Sequence, residues 1–318
     1  MLHVQPPHPT GEAAPHPDAV WIDLLNPEES EVRLVEELVG CKMPTRDQLS
    51  GIEQSSRLAF DDGILRLASP VVADADTDHP RVSQIGIVLT QKLMISIRYD
   101  PLFMFDSVAK KNGKDAPATS AATFAAVMQA FVSRQADLLE EARARLDEVS
   151  HRVFRPTADN ARGAMRHTTA MRAKLQLLGR MGERISIIRE SLLGIDRMVD
   201  FAADNAKDWF PGDLGDRLRQ VCEDIGALNQ FEEHLLGKVQ FLLDAVLGFI
   251  SIEQNDIFKV LTIASIVGIF PTLVAGWYGM NFEHMPELHW AYGYQFGITM
   301  IVLSTIAPLL WFKWRGWM

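Results

Sequence analysis

The sequence predicts an α+β domain that is followed by a long stalk helix and two transmembrane helices at the C-terminal end. Three observations support this fold class. Short apolar segments bounded by turn residues occupy the first third of the chain, apolar residues at helical spacing follow, and two long uncharged segments end it. The net charge of −10 over 318 residues argues against a nucleic-acid partner and suits a protein that encounters cations.

The α/β domain is predicted over residues 20–115. Residues 1–19 are rich in Pro and His and lack an apolar core, so we expect a disordered tail and no signal peptide. Asn26 is the predicted N-cap of a first helix, with Pro27 at its first position. The predicted strands are 20–24, 57–60, 64–72, 83–90 and 93–98, with tight turns at 61–63 and 91–92.

A helical region is predicted over residues 116–211, with charge pairs such as Glu141 and Arg145 on its solvated faces. A stalk helix then occupies 212–258. No helix breaker lies between Leu214 and Pro271, so this helix continues into the first transmembrane segment. About 65 residues at about 1.5 Å each predict a helix roughly 100 Å long. Cys41 and Cys222 are widely separated, which favours free thiols.

Two transmembrane helices are predicted, at 259–281 and 291–312. Each contains an uncharged stretch long enough for the about 20 residues that a helix needs to cross a bilayer. A buried helix of a soluble protein could also be uncharged, but two such segments in succession favour a membrane protein. The connecting loop, 282–290, has no Lys or Arg, whereas the tail at 313–318 is basic. The positive-inside rule therefore places both termini in the cytoplasm and the loop outside. The expected location is the inner (plasma) membrane.

Small and polar residues form one face of the long helix, which we call the polar stripe. Its mean spacing of about 3.6 residues is that of a single helical face. The stripe consists of Gly276, Thr272, Ile269, Ser265, Thr262, Phe258, Asn255, Ser251, Gly248 and Asp244. Close helix–helix packing is one interpretation. The other is a water-lined pore between several copies, which requires a symmetric oligomer because two spans cannot enclose a lumen.

The segment Tyr278-Gly279-Met280-Asn281 lies where the first span meets the outer loop. A neutral amide and a flexible backbone at this mouth, followed by Glu283 and Glu287, form a plausible cation entrance. A solvated loop, or a structural contact between subunits, is the alternative role for the two glutamates. Neither span contains an ionisable residue that could relay protons.

Three segments carry a resemblance to a known family. Residues 249–255 are Phe-Ile-Ser-Ile-Glu-Gln-Asn, residues 271–275 are Pro-Thr-Leu-Val-Ala, and residues 278–288 are Tyr-Gly-Met-Asn-Phe-Glu-His-Met-Pro-Glu-Leu. In these the chain strongly resembles the CorA family of magnesium and cobalt transport proteins. Zinc-transporting relatives share Gly-Met-Asn, but the Met-Pro-Glu-Leu loop here favours the magnesium branch.

The resemblance implies a funnel-shaped homopentamer whose first span lines the pore. It assigns Gly279, Met280 and Asn281 to an outer selectivity ring. It also places Asp244, Asn255 and Thr272 on the lumen, where the stripe adds Gly276. Family members bind regulatory magnesium between subunits. For those ligands Asp216, Glu223 and Asp224 are weak candidates here, and ordinary surface acids are the competing interpretation.

The expected function is potential-driven influx of Mg²⁺, and also of Co²⁺, with Ni²⁺ as a further candidate, gated by intracellular Mg²⁺. Mg²⁺ is then both substrate and regulatory ligand, and no other cofactor is expected. The expected partners are further copies of the chain, the lipid bilayer and divalent cations. No nucleophile elbow, P-loop or metal-ligand spacing indicates an enzyme. The alternatives are a zinc-selective, proton-coupled transporter of the same superfamily and a membrane-anchored scaffold.

Overall fold

The chain forms two units, which are considered separately. The computed structural model describes residues 2–5, 18–51, 57–75, 77, 80–110, 117–154, 164–280 and 285–317, without the side chains of 164–169, 287 and 288. The first unit combines Met1–Pro156 with Lys174–Leu243, and we call it the sheet unit. The second combines Thr157–Ala173 with Asp244–Met318, and we call it the span unit.

A mixed sheet of six strands belongs to the sheet unit, in the order β1-β2-β6-β5-β4-β3. The strands are β1 (Leu2–Gln5), β2 (Trp21–Leu25), β3 (Leu58–Asp61), β4 (Ile64–Ala73), β5 (Arg81–Leu89) and β6 (Met94–Arg98). Only the β2–β6 pairing is parallel. The predicted turn between β3 and β4 is present: Asp62 and Gly63 both have positive φ, 50° and 72°, as a two-residue type I′ hairpin requires.

The strand β1 corrects the expectation of a disordered tail for residues 2–5, while residues 6–17 lie outside the described part of the chain. Leu2 pairs with Leu24 and Val4 with Ile22, and both Leu2 and Val4 are buried. Four residues are too few for a recognisable alternation, so the polar composition of the whole segment dominated the prediction. β1 forms because β2 supplies the partners for its backbone hydrogen bonds, and such partners cannot be read from the composition of the segment.

The first helix begins later than predicted. α1 spans Glu29–Val39, and the N–H of Glu28 donates to Oε2 of Glu31 at 3.0 Å, as in a capping box. Asn26, the predicted N-cap, has a φ of 45° and its N–H donates to the carbonyl of Arg98 at 2.7 Å. Asn26 therefore extends the bonding between β2 and β6, in a left-handed conformation that Asn tolerates better than most residues.

Long helices make up most of the remaining chain. They are α2 (Arg46–Leu49), α3 (Phe103–Ala109), α4 (Ser120–Phe154), α5 (Ala164–Asn205), α6 (Asp213–Tyr278) and α7 (Gly293–Trp314). The predicted Glu141–Arg145 pair is present at 2.6 Å. α6 is one helix of 66 residues with Pro271 inside it, as the lack of breakers predicts. α6 and α7 are long and apolar enough to cross a membrane, by length and composition.

Close contact between sheet and helix depends on Gly194 of α5. A Cβ at this position would lie 2.3 Å from Oγ of Ser69 and 2.7 Å from Cδ of Pro70, both on β4. Elsewhere in the same unit, Arg98 binds Asp23 at 2.8 Å and Asp106 at 2.7 Å. The Arg98–Asp23 pair is buried and fixes β6 against β2, whereas the Arg98–Asp106 pair joins the sheet to α3.

The first half of α6 buries an apolar face within the sheet unit. Its buried residues include Leu218, Val221, Ile225, Leu235, Val239 and Leu242. Glu232 shares this face, and its side chain is only 2% exposed. Oε2 of Glu232 lies 3.8 Å from Nε of Arg189 on α5, whereas Oε1 is buried without a hydrogen-bond partner among the described residues.

Candidate functional site

The polar stripe is open along its whole length in the single chain. Every one of its residues, from Asp244 to Gly276, is exposed. The half-buried residues of the same segment lie on another face and include Ile263, Ile266, Val267, Pro271, Val274 and Tyr278. The packing of the single chain therefore uses the face away from the stripe and leaves the stripe to solvent or to further copies.

A shallow groove of about 610 Å³ follows the membrane part of the stripe. It is lined by Ala264, Ser265, Gly268, Ile269, Thr272 and Leu273. A Cβ at Gly268 or Gly276 would meet no atom within 4 Å, so neither glycine is required for contacts within one chain. Ala264 and Gly268 were missed in the sequence, because the steps of three and four followed a single line of residues.

The threonine hydroxyls of the stripe have a fixed orientation. Oγ1 of Thr262 donates to the carbonyl of Phe258, and Oγ1 of Thr272 donates to that of Gly268, both at 2.8 Å. Each hydroxyl proton is thus occupied within the helix, and the oxygen lone pairs remain as acceptors. The water molecules around a cation point their hydrogens outward, so acceptor oxygens on the stripe can receive hydrogen bonds from these waters.

Charge along the stripe is limited to one sign. Asp244 is its only ionisable residue. Lys259, the last cationic residue of α6, pairs with Asp256 at 2.8 Å, and neither residue belongs to the stripe. The stripe therefore carries no fixed positive charge that would repel a cation.

The outer end of α6 is described only as far as Met280. The N–H of Gly279 donates to the carbonyl of Ala275 at 3.0 Å, and a Cβ at Gly279 would lie 3.1 Å from that oxygen. Met280 is exposed. Asn281 and Glu283 lie outside the described residues. Glu287 belongs to a short 3₁₀ helix, Pro286–His289, and its side chain is not described.

The three acids named as regulatory candidates are not brought together into one metal-binding group in the part of the chain that the structure describes. Asp216 is paired with Arg219 at 3.1 Å. Glu223 and Asp224 are exposed neighbours on α6, so their side chains diverge by about 100° around the helix.

A different group, Asp196, Asp200 and Cys222, brings three potential ligand atoms within 4.8 Å of one another in the described residues. Sγ of Cys222 donates to Oδ1 of Asp200 at 3.4 Å. Burial and the two aspartates raise the pKa of the Cys222 thiol to about 12. This raised pKa favours the protonated thiol, which forms a hydrogen-bonded contact between α5 and α6.

Comparison with known proteins identifies the family. The family model described as "CorA-like Mg2+ transporter protein" matches residues 17–314. The chain belongs to the CorA-like family. It is 30% identical to the magnesium transport protein CorA of Escherichia coli over 309 residues, 96% of this chain and 94% of that protein. The CorA of Salmonella typhimurium is also 30% identical, over 95% of this chain and 92% of its own. The resemblance inferred from residues 249–255, 271–275 and 278–288 is thereby confirmed, and these relatives are magnesium transport proteins.

Solved structures share the CorA fold. The complete CorA magnesium transporter of Methanocaldococcus jannaschii superposes with a TM-score of 0.77 at 15% identity, over 96% of this chain and 94% of that one. The full-length CmaX protein gives 0.69 at 16% identity, over 95% and 89% of the two chains. The cytoplasmic domain of ZntB from Vibrio parahaemolyticus gives 0.58 at 14% identity, over 77% and 92%. At these identities the structures show the fold alone.

Proposed function

We propose that the chain conducts Mg²⁺ across the inner membrane as a homopentamer in which the polar stripe of each copy lines the pathway. The observation that carries this proposal is the exposure of every stripe residue, while the half-buried residues lie on another face of α6. A single hairpin cannot enclose a lumen, so the stripe requires further copies around an axis. The number five comes from the family resemblance.

The stripe suits an ion that keeps its water. Mg²⁺ is small and dehydrates reluctantly, so a pathway that strips its shell would be slow. Thr262 and Thr272 offer acceptor oxygens to the hydrogens of those waters, since their own protons are bonded to the helix. Neutral oxygens hold the hydrated ion weakly, which allows it to leave again.

At the outer mouth, a ring of Asn281 side chains supplies amide oxygens to the hydrated ion. Gly279 and Met280 complete this ring. Selection then depends on the size and charge of the hydrated ion, which extends admission to Co²⁺ and to Ni²⁺. Glu283 and Glu287 follow in the sequence of the outer loop, and carboxylates there would raise the local concentration of cations.

The membrane potential is the driving force in this proposal. No ionisable residue lies within the two spans that could couple protons to transport. With both termini in the cytoplasm, a divalent ion entering across 100 mV gains about 4.6 kcal/mol. Intracellular Mg²⁺ bound between subunits, with Asp216, Glu223 and Asp224 as candidate ligands, holds the pore closed. Uptake that internal Mg²⁺ fails to slow would contradict this gating.

Uptake into proteoliposomes, with each divalent ion tested alone, examines the proposal directly. Asn281→Ala should abolish selective Mg²⁺ uptake, because the ring loses its amide oxygens, while the pentamer still assembles in detergent. Normal transport by this variant would refute the ring. A monomer or dimer in detergent would leave only a membrane-anchored scaffold.

A zinc-selective, proton-coupled transporter is the second candidate, because the cytoplasmic domain of ZntB shares the fold of most of this chain. Competition separates the two. Inhibition of Mg²⁺ uptake by cobalt hexaammine, which mimics a hydrated ion, supports the magnesium pathway. Saturable zinc uptake that follows an imposed proton gradient supports the alternative.

A further inference from the structure

A cavity of about 230 Å³ in the sheet unit is lined by three arginines. Arg145 comes from α4, and Arg180 and Arg184 come from α5. Ala142, Leu177, Met181 and Pro80, which precedes β5, complete the lining. These apolar neighbours lower the local dielectric and so strengthen any charge interaction inside the cavity.

Arg184 is held in place by the protein. Its side chain is only 10% exposed, and Nη2 donates to the carbonyl of Ala75 at 2.8 Å and to Oε2 of Glu141 at 3.1 Å. Both bonds use the same nitrogen. Nε and Nη1 donate to no other described residue, so part of the guanidinium fork remains available in a fixed orientation.

The described residues that line the cavity carry an excess of positive charge. Glu141 is the one carboxylate that pairs with these arginines among the described residues, and it is shared by Arg145 and Arg184. Arg180 has no ion pair within the described part of the chain. It stands four residues before Arg184 on the same helix, a spacing at which like charges repel. Within the described part of the chain, three guanidiniums against one carboxylate leave a net positive charge that a divalent anion can balance.

We propose that this cavity binds a small phosphate-type oxyanion. Planar guanidinium forks bind phosphate oxygens through paired hydrogen bonds, which a point charge such as Lys does not reproduce. The volume lies below the about 300–1,000 Å³ of pockets for drug-sized ligands, so it suits phosphate or pyrophosphate and not a whole nucleotide. The bound anion joins α4 to α5 and, through Arg184, to the segment at Ala75.

Thermal denaturation of the full chain in detergent tests the proposal without any transport assay. Magnesium is removed first, since it would complex the anion. Sodium pyrophosphate should raise Tm saturably relative to sodium chloride at equal ionic strength, because a ligand that binds only the folded state stabilises it. No saturable rise would overturn the proposal.

Arg180→Gln is the informative variant, since Arg180 is exposed and its loss should not disturb folding. We expect at least about tenfold weaker binding of pyrophosphate, because one charge-assisted pair of bonds is lost. Arg143→Gln is the matched control: Arg143 lies on α4, is exposed and pairs with Asp147 outside the cavity. Equal affinity in the two variants would overturn the site.

Two further anions define the ligand class. Phosphate should bind more weakly than pyrophosphate and compete with it. Citrate carries comparable charge on carboxylates. Citrate binding as tight as that of pyrophosphate would overturn the assignment to phosphate chemistry. The result is independent of the proposed transport, because it is measured in detergent on the sheet unit's own cavity.

Discussion

The two halves of α6 share one helical backbone but differ in how many of their apolar side chains are buried by the rest of the chain. Between Asp213 and Val246 the helix buries one apolar face, including Ile225 and Leu242 at 0% exposure. From Leu247 to Tyr278 none of the residues is buried, and Val260 and Leu273 are 67% and 65% exposed. The apolar surface of the first half is covered by its own chain, whereas that of the second half is left uncovered by the single chain.

This difference shows where intrachain packing ends and the environment takes over. A helix with one buried apolar face and charged residues on its other faces can be stable in a unit surrounded by water. A helix that is apolar around most of its circumference needs another apolar environment, and the hydroxyls of Thr262 and Thr272 satisfy their protons internally, as a membrane requires. The polar stripe is the exception on that surface, and it is where water is expected.

The largest expected effect separates two leucines of the same helix. Leu242→Ala removes a fully buried side chain and should destabilise the protein by about 2–5 kcal/mol. Leu247, five positions later, is 52% exposed, and Leu247→Ala should change stability by no more than about 0.5 kcal/mol. Thermal denaturation in detergent measures both. Equal losses would show that the second half is also completed by protein contacts.

A smaller effect is expected on transport when the stripe loses an oxygen. Thr272→Val keeps the shape of the side chain but removes the acceptor, and Mg²⁺ uptake should fall about tenfold, or about 1.4 kcal/mol of barrier. Thr299→Val is the matched control on α7, because Oγ1 of Thr299 makes the same internal bond, to Gln295 at 2.7 Å. The same decrease in both variants would indicate a general effect on helix stability and not on the pathway.

The smallest effect concerns the acid on the buried face of α6. Burial raises the pKa of Glu232 above its ordinary value of 4.5, and nearby Arg189 opposes this while Glu233 adds to it. The folded state therefore holds the proton more tightly than the unfolded state. The resulting stability is present at low pH and is lost as pH rises through the raised pKa.

The Gln side chain of the Glu232→Gln variant cannot ionise, so the Tm of this variant minus that of the unmodified protein should grow as the pH rises above about 4.5. Glu37→Gln, at an exposed position of α1, serves as control, because Glu37 does not act on the pKa of Glu232. A difference that stays constant with pH would show that Glu232 remains ionised in the folded protein.

Features with a strong local signal were predictable from the sequence. The unbroken helix, the I′ turn at Asp62-Gly63 and the free thiols are all present. Each depends on nearby residues: the absence of breakers, an Asp-Gly pair, or two distant cysteines. The polar stripe was also predictable, because a helical face follows from spacing alone, and its exposure follows from the structure.

Features that depend on distant partners were not predictable. β1 forms because β2 offers it an edge, and the conformation of Asn26 follows from its bond to Arg98 across the sheet. The arginine cavity lies between α4 and α5, and its residues Arg145 on α4 and Arg180 on α5 are far apart in sequence. The roles of Asn281, Glu283 and Glu287 remain predictions, because these residues or their side chains lie outside the described part of the chain.

The central claim is that the polar stripe faces water and the opposite face does not. After Cys41 and Cys222 are replaced by Ser, single cysteines at Thr272 and Val274 compare the two faces about 3 Å apart along the helix axis. A water-soluble thiol reagent should modify the cysteine at 272 at least about tenfold faster, because only the thiolate in water reacts, and should block Mg²⁺ uptake. Equal rates, or faster modification at 274, would contradict the account.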